Sequence, residues 1–263
     1  MLSVATVTQK LSGAPDLTLF AELSLISLVF LFAGAIKGMI GMGLPMVAVP
    51  LLSLFMAPAE AAAILVLPAF VTNIWQAIAG RAFFSLLRRL WLLFVGVLAG
   101  SWIAAALLNS TESPWALTVL GGVLIAYSAL GLSNIHFSVE PRSENWLAPA
   151  IGVINGIVSV TTGVFSLPAL PYLDGLHLSR DDLVQALGML FALSTVALAA
   201  ALAHGGILRS SVAMPSAVAL AASLIGVWSG QLIRARIEPK LFRKIFLISL
   251  LLLGTHLALR SVL

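Results

Sequence analysis

Gly34-Ala35-Ile36-Lys37-Gly38-Met39-Ile40-Gly41-Met42-Gly43-Leu44-Pro45-Met46-Val47-Ala48-Val49-Pro50 is the stretch that decides the fold, because its spacing returns later in the chain. Gly152-x3-Gly156 with Pro168 repeats Gly34-x3-Gly38 with Pro50, since 152−34, 156−38 and 168−50 all equal 118. A glycine inside a helix costs about 1 kcal/mol relative to alanine, so Gly38, Gly41 and Gly43 together predict that the chain opens there. Pro45 then suits the first turn of a new helix, where its missing N–H is no loss. The second stretch carries Gly163 and the hydroxyls of Thr161, Thr162 and Ser166, with Ser166 and Pro168 in the order of a helix cap and an early-helix proline.

Composition puts these breaks in a membrane. Hydrophobic residues make up 60% of the 263 and charged residues 9%, against roughly 25% charged in soluble domains. Apolar runs at 17–36, 59–79, 90–108, 114–132, 182–203, 211–233 and 245–259 approach the ~20 residues that cross a hydrocarbon core. The expected fold is an all-α polytopic membrane protein with eight clear spans plus two broken or half-membrane segments at 37–56 and 152–173, giving 8–10 crossings. The first run reads as a helix of the mature chain, because no small-x-small cleavage site follows it. Trp75, Trp91, Trp102, Trp115, Trp146 and Trp228 lie mostly toward span ends and read as interfacial anchors.

The order of motifs implies duplication. Gly96-x3-Gly100 matches Gly226-x3-Gly230 with a shift of 130, and Pro114 matches Pro239 with a shift of 125. The halves are therefore 1–136 and 137–263, joined by the polar connector 134–145 within one transmembrane domain. Gly-x3-Gly is also the ordinary way for membrane helices to pack closely, which accounts for any one of these motifs but not for their order. The loop 81–89 holds three arginines and 234–244 holds five basic residues. Four spans per half would put these loops on opposite faces. Counting each broken segment as a crossing gives five per half, puts both loops in the cytoplasm by the positive-inside rule, and makes the halves inverted.

Broken helices at matching places in two halves point to a transport site, because they expose backbone groups that can hold a solute. A helix N-terminus attracts anions without a buried arginine, so a small oxyanion is the expected guest. The residues expected to line its site are Gly38, Gly41, Gly43, Asn73, Gln76, Asn155, Thr161, Thr162, Gly163 and Ser166. Asn73 and Gln76 share a helix face and serve either site lining or interhelical hydrogen bonding, as does Gln185. For Lys37 a snorkelling position at the interface is preferred over attraction of the anion. Glu22 and His256 are the candidates for proton coupling. Glu60, Asp181 and Asp182 suit helix starts, and His204 a helix end.

Several function classes drop out. Cysteine is absent, which removes thiolate metal sites and cysteine nucleophiles. No nucleotide-binding loop, no metal-ligand cluster and no convergent acid–base set is visible, so neither an enzyme nor a cofactor is expected. The net charge of +4 lies beside spans and reads as topology, not as a nucleic-acid footprint. The expected partners are the lipid bilayer, a small anion and protons as the coupling ion.

The pattern Gly34-x3-Gly38-x2-Gly41-x-Gly43-x-Pro45 with Pro50, followed by Thr161-Thr162-Gly163 ahead of Pro168 and Pro171-Tyr172-Leu173, resembles the TauE/SafE sulfite exporter family across 17–263. The resemblance implies a bacterial inner-membrane permease for sulfite, sulfoacetate or other sulfonates, with export the usual direction. A passive anion channel and an integral-membrane enzyme are the competing readings.

Overall fold

A computed structural model describes residues 15–107, 116–133, 138–234 and 239–260. Pro114, Trp115, residues 134–137 of the connector and 235–238 of the second basic loop lie outside them. The chain order is α1 (Pro15–Ile40), α2 (Leu44–Leu52), α3 (Pro58–Ile78), α4 (Phe83–Leu107), α5 (Ala116–Leu132), α6 (Pro141–Thr162), α7 (Ala169–Gly175), α8 (Arg180–His204), a 3-10 turn (Ser210–Val212), α9 (Ala213–Ile233) and α10 (Pro239–Arg260). Each half thus runs long, short, long, long, long.

Five helical stretches among the described residues are long and apolar enough to cross a bilayer: Leu19–Ile40, Pro58–Ile78, Phe83–Ala106, Arg180–His204 and Ser210–Ile233. Eight were expected. α5 is apolar but only 17 residues long, α6 carries Asn145, Pro149, Asn155, Thr161 and Thr162 within its length, and Lys240, Arg243 and Lys244 open α10, which dilutes their apolar character. Phe20, Leu28, Phe32, Trp102 and Leu252 stand on the outside, as a lipid-facing surface requires. Trp75, Trp91, Trp146 and Trp228 are likewise exposed.

The Gly-x3-Gly pairs are the packing device of this bundle. Gly34 meets Ser223 and Gly38 meets Val227, so α1 and α9 run parallel with backbone on backbone. Gly152 meets Leu93 and Gly156 meets Val97, which makes the same parallel crossing between α6 and α4. A Cβ on Gly226 would sit 2.3 Å from Leu31 O, so no larger residue fits without parting the helices. Apolar helices gain little from leaving lipid for one another; close packing of small residues holds them together. The other main pairs run antiparallel. Asn73 faces Thr195 while Gln185 reaches Ala77 and Ala82 across α3 and α8, and Gly121 meets Gly254 while Gly131 meets Leu247 across α5 and α10.

These contacts also order the ends of the bundle. Gln76 Nε2 donates to Gly41 O (3.1 Å) and Val184 O (2.8 Å), which brings the C-terminal ends of α1 and α3 to the N-terminal end of α8. Gly38 abuts Gln231 near the end of α9. The segment 81–89, which follows α3, and Arg234, which follows α9, therefore lie at one end.

Part of the expected register fails. The shift of 118 holds for Gly34/Gly152 and Gly38/Gly156, which make equivalent crossings. It fails for the prolines: Pro50 lies inside α2, whereas Pro168 is the residue before α7. The cause is length, because α1 stops at Ile40, soon after Gly38, while α6 continues past Gly156 to Thr162.

Candidate functional site

The first break is narrower than the sequence suggested. α1 runs through Gly38 to Ile40, Gly41 N donates back to Lys37 O (2.7 Å), and the chain leaves the helix at Gly41 and Gly43, whose φ values are 81° and 116°. The second of these lies beyond the left-handed helical region open to other residues, so glycine alone fits comfortably. Pro45 sits in the first turn of α2, as expected.

Behind this break lies a buried polar cluster. Lys37 does not snorkel: it is 5% exposed, and its Nζ donates to Thr72 Oγ1 (3.1 Å) and to Asn73 Oδ1. Asn73 Nδ2 donates to Thr195 Oγ1 (3.4 Å), and the hydroxyls of Thr72 and Thr195 donate to Pro68 O (2.8 Å) and Phe191 O (2.6 Å). Asn73 and Thr195 occupy the same place in their helices, counted from Pro58 of α3 and Arg180 of α8, since 73−58 equals 195−180. Ser194 Oγ beside them is buried without a partner. Gln76 and Gln185 tie α3 to α8: Gln76 as above, Gln185 by donating to Ala77 O (2.7 Å) and accepting from Ala82 N (2.9 Å).

The second break satisfies its own backbone. Gly163 ends α6 at φ 70°, and Thr162 Oγ1 donates to Val158 O (2.7 Å) while accepting from Val164 N (3.1 Å). Thr161 Oγ1 donates back to Ile157 O (2.9 Å). Asn155, fully buried, lies among the carbonyls of the break. With its amide nitrogen toward them, which acceptor-only groups require, it donates to Phe165 O (3.1 Å) and Leu167 O (3.0 Å). Ser166 does not cap α7 by its side chain. Pro168 holds the cap position, and Ser166 Oγ lies 3.0 Å from Met46 Sδ of α2.

That contact brings the breaks together. Gly163 also packs against Val49 of α2 and Ala62 of α3. Gly38 lies elsewhere, in the α1–α9 crossing. Glu22 and His256 are exposed on the outside of the bundle. Ser179, not Asp181 or Asp182, caps α8, accepting from Asp182 N at 3.1 Å.

A cavity of about 310 Å³ opens among Met39 and Ile40 at the end of α1, Met42 of the first break, Leu167 of the second, Pro171 and Asp174 of α7, Tyr127 of α5, and Phe242 and Phe246 of α10. Arg180 and Arg234 also line it. Thr72, Thr195 and these two arginines escaped the sequence reading. Thr72 was signalled only by its place beside Asn73, and the arginines stand far apart in the chain with no shared motif.

A profile described as Sulfite exporter TauE/SafE matches residues 26–257. The chain belongs to the TauE/SafE family. Its match begins in α1 and ends in α10, so both breaks, the polar cluster and the cavity fall inside the TauE/SafE region. As a TauE/SafE protein with several apolar helices it is a multi-pass transmembrane permease of a transporter family. Comparison with curated proteins and with solved structures gives no match. Among the described residues no group of His, Asp and Glu has the arrangement to hold a metal ion.

Proposed function

We propose that this TauE/SafE protein is a secondary carrier that exports small sulfur-containing anions such as sulfite, sulfoacetate or other sulfonates, by alternating access around its two breaks. The cavity carries the reading. It touches both breaks, has two arginines against one carboxylate, that of Asp174, in its wall, and lies at the end of the bundle where the basic segments gather. Arg180 and Arg234 attract the anion from the cavity wall, and deeper in, as the breaks part, Gly41 and Gly43 give it access to backbone at the start of α2 and Thr161, Thr162, Gly163, Ser166 and Asn155 offer the second break. Lys37, Asn73 and Gln76 stand behind the first break and orient it. α7 has only seven residues, so the attraction comes from the cations and from α2.

The halves are read as inverted repeats that each cross five times. Support comes from the pairings: α1 runs with α9 and α6 with α4, while α3 opposes α8 and α5 opposes α10. Short connections make α3 oppose α4 and α8 oppose α9, which leaves each long helix of the first half antiparallel to its counterpart. The basic end faces the cytoplasm of a bacterial inner membrane by the positive-inside rule. Protons are the coupling ion, and the bilayer and the anion are the partners.

The test is flux in proteoliposomes of labelled sulfite or sulfoacetate, with and without a pH gradient. Transport that responds to the gradient supports the carrier. Flux that ignores the gradient and carries current identifies a channel, and no flux of either anion sinks the transport reading.

A further inference from the structure

Lys37 is the one charged side chain buried in the core among the described residues. An ammonium has three donors and no acceptor. Thr72 and Asn73 accept two of these N–H groups, and both partners are neutral. Their own hydrogens are turned away, toward Pro68 O and Thr195 Oγ1, so the shell offers acceptors to a cation and no counter-charge.

The elements packed around it supply none either. α2 and α9 contain no titratable residue. Glu60 is in the first turn of α3, and Arg180, Asp181, Asp182 and His204 are at the two ends of α8. Asp16 and Glu22 lie in the first half of α1, several turns before Lys37, and Arg234 follows α9. The ion pair among the described residues joins Arg89 to Glu144, away from this cluster. Lys37 lies one turn before Gly41, and Met39, Ile40 and Met42, which follow it in the chain, line the cavity.

We propose that Lys37 is the coupling residue: its ammonium is the counter-ion of the bound anion, and its proton leaves with the anion. The inference rests on the carrier reading above. A buried charge without a partner is costly, and two events relieve it, arrival of an anion or departure of the proton. When the anion leaves, Nζ gives one proton to water that follows it and stays as a neutral amine, which accepts from Thr72 or Asn73 once those groups rotate. The next anion enters with a proton. Arginine cannot take this part, since it holds its proton at any physiological pH.

The experiment is calorimetric titration of the purified full-length protein with sulfoacetate, in paired buffers that differ in ionisation enthalpy. Sulfoacetate stays fully ionised above about pH 6, since carboxyl groups titrate near 4, so proton uptake on binding belongs to the protein. Uptake approaching one proton per anion is expected. Lys37→Arg should bind more weakly and take up none. Asn73→Asp, which sets a permanent carboxylate beside the ammonium, should weaken binding about tenfold or more and also abolish uptake. Binding by the wild type without uptake overturns the coupling role and leaves the carrier intact, as does uptake that persists in either variant. Neither binding nor liposome flux in the wild type overturns both.

Discussion

The two breaks solve one problem by different means. At the second, the polar groups are local: Thr162 bonds the backbone of Val164, and Asn155 reaches forward to the carbonyls of Phe165 and Leu167. At the first, Gly41 and Gly43 make the opening, and the freed carbonyl of Gly41 is taken by Gln76 from α3. Lys37 and Asn155 stand at equivalent places, each just before the glycine that crosses α9 or α4. One is a cation and the other a neutral amide. The difference makes the second break a self-contained wall and the first a surface whose shape depends on α3 and α8.

The sharpest way to break the comparison is Gly43→Val. With φ at 116° and Ile36 Cγ2 3.0 Å from the position of a new Cβ, strain of about 1–3 kcal/mol should fall on the first break. Flux should drop by about tenfold or more, whereas Gly163→Asn, at a φ of 70° that asparagine tolerates but with its new Cβ 3.2 Å from Val49 Cγ2, should lose less. Equal losses would show that the breaks are not different in kind. Asn155→Ala should cost about 1–3 kcal/mol in thermal stability by stranding the carbonyls of Phe165 and Leu167; an unchanged melting curve in detergent would deny the second break its self-sufficiency. Gln76→Leu strands Gly41 O and Val184 O on separate elements and should cost about 1–2 kcal/mol, with faster hydrogen exchange at α2 and none of that effect at α7. The smallest effect belongs to Glu22→Gln and His256→Gln. Both side chains are exposed on the outside, so the pH dependence of flux should not move.

The chain announced its packing more plainly than its site. Four Gly-x3-Gly pairs in order carried the two parallel crossings, and Gly41, Gly43, Pro45 and Gly163 marked where helices stop, because glycine and proline act through their own backbone. Pro50 and Pro168 misled because spacing alone does not reveal that α6 runs on toward Gly163. Lys37 misled for another reason. A lysine stem reaches outward to the interface or inward to a partner, and the partners that decide, Thr72 and Asn73, come a whole helix later in the chain. The cavity was beyond reach, since Arg180, Arg234 and Tyr127 meet only after α5, α8, α9 and α10 are assembled.

The reciprocal crossings have a consequence for how the protein is made. α1 leaves the ribosome well before α9, yet its glycine face is fitted to Ser223, Gly226 and Val227, which are made about 190 residues later. At synthesis rates of about 5–20 residues per second the wait is roughly 10–40 s. The crossing of α4 with α6 needs only the short stretch between them. During biogenesis the middle of the chain therefore seats first, and α1 must remain inserted, glycines toward lipid or translocon, until the ninth helix arrives to close the bundle around it.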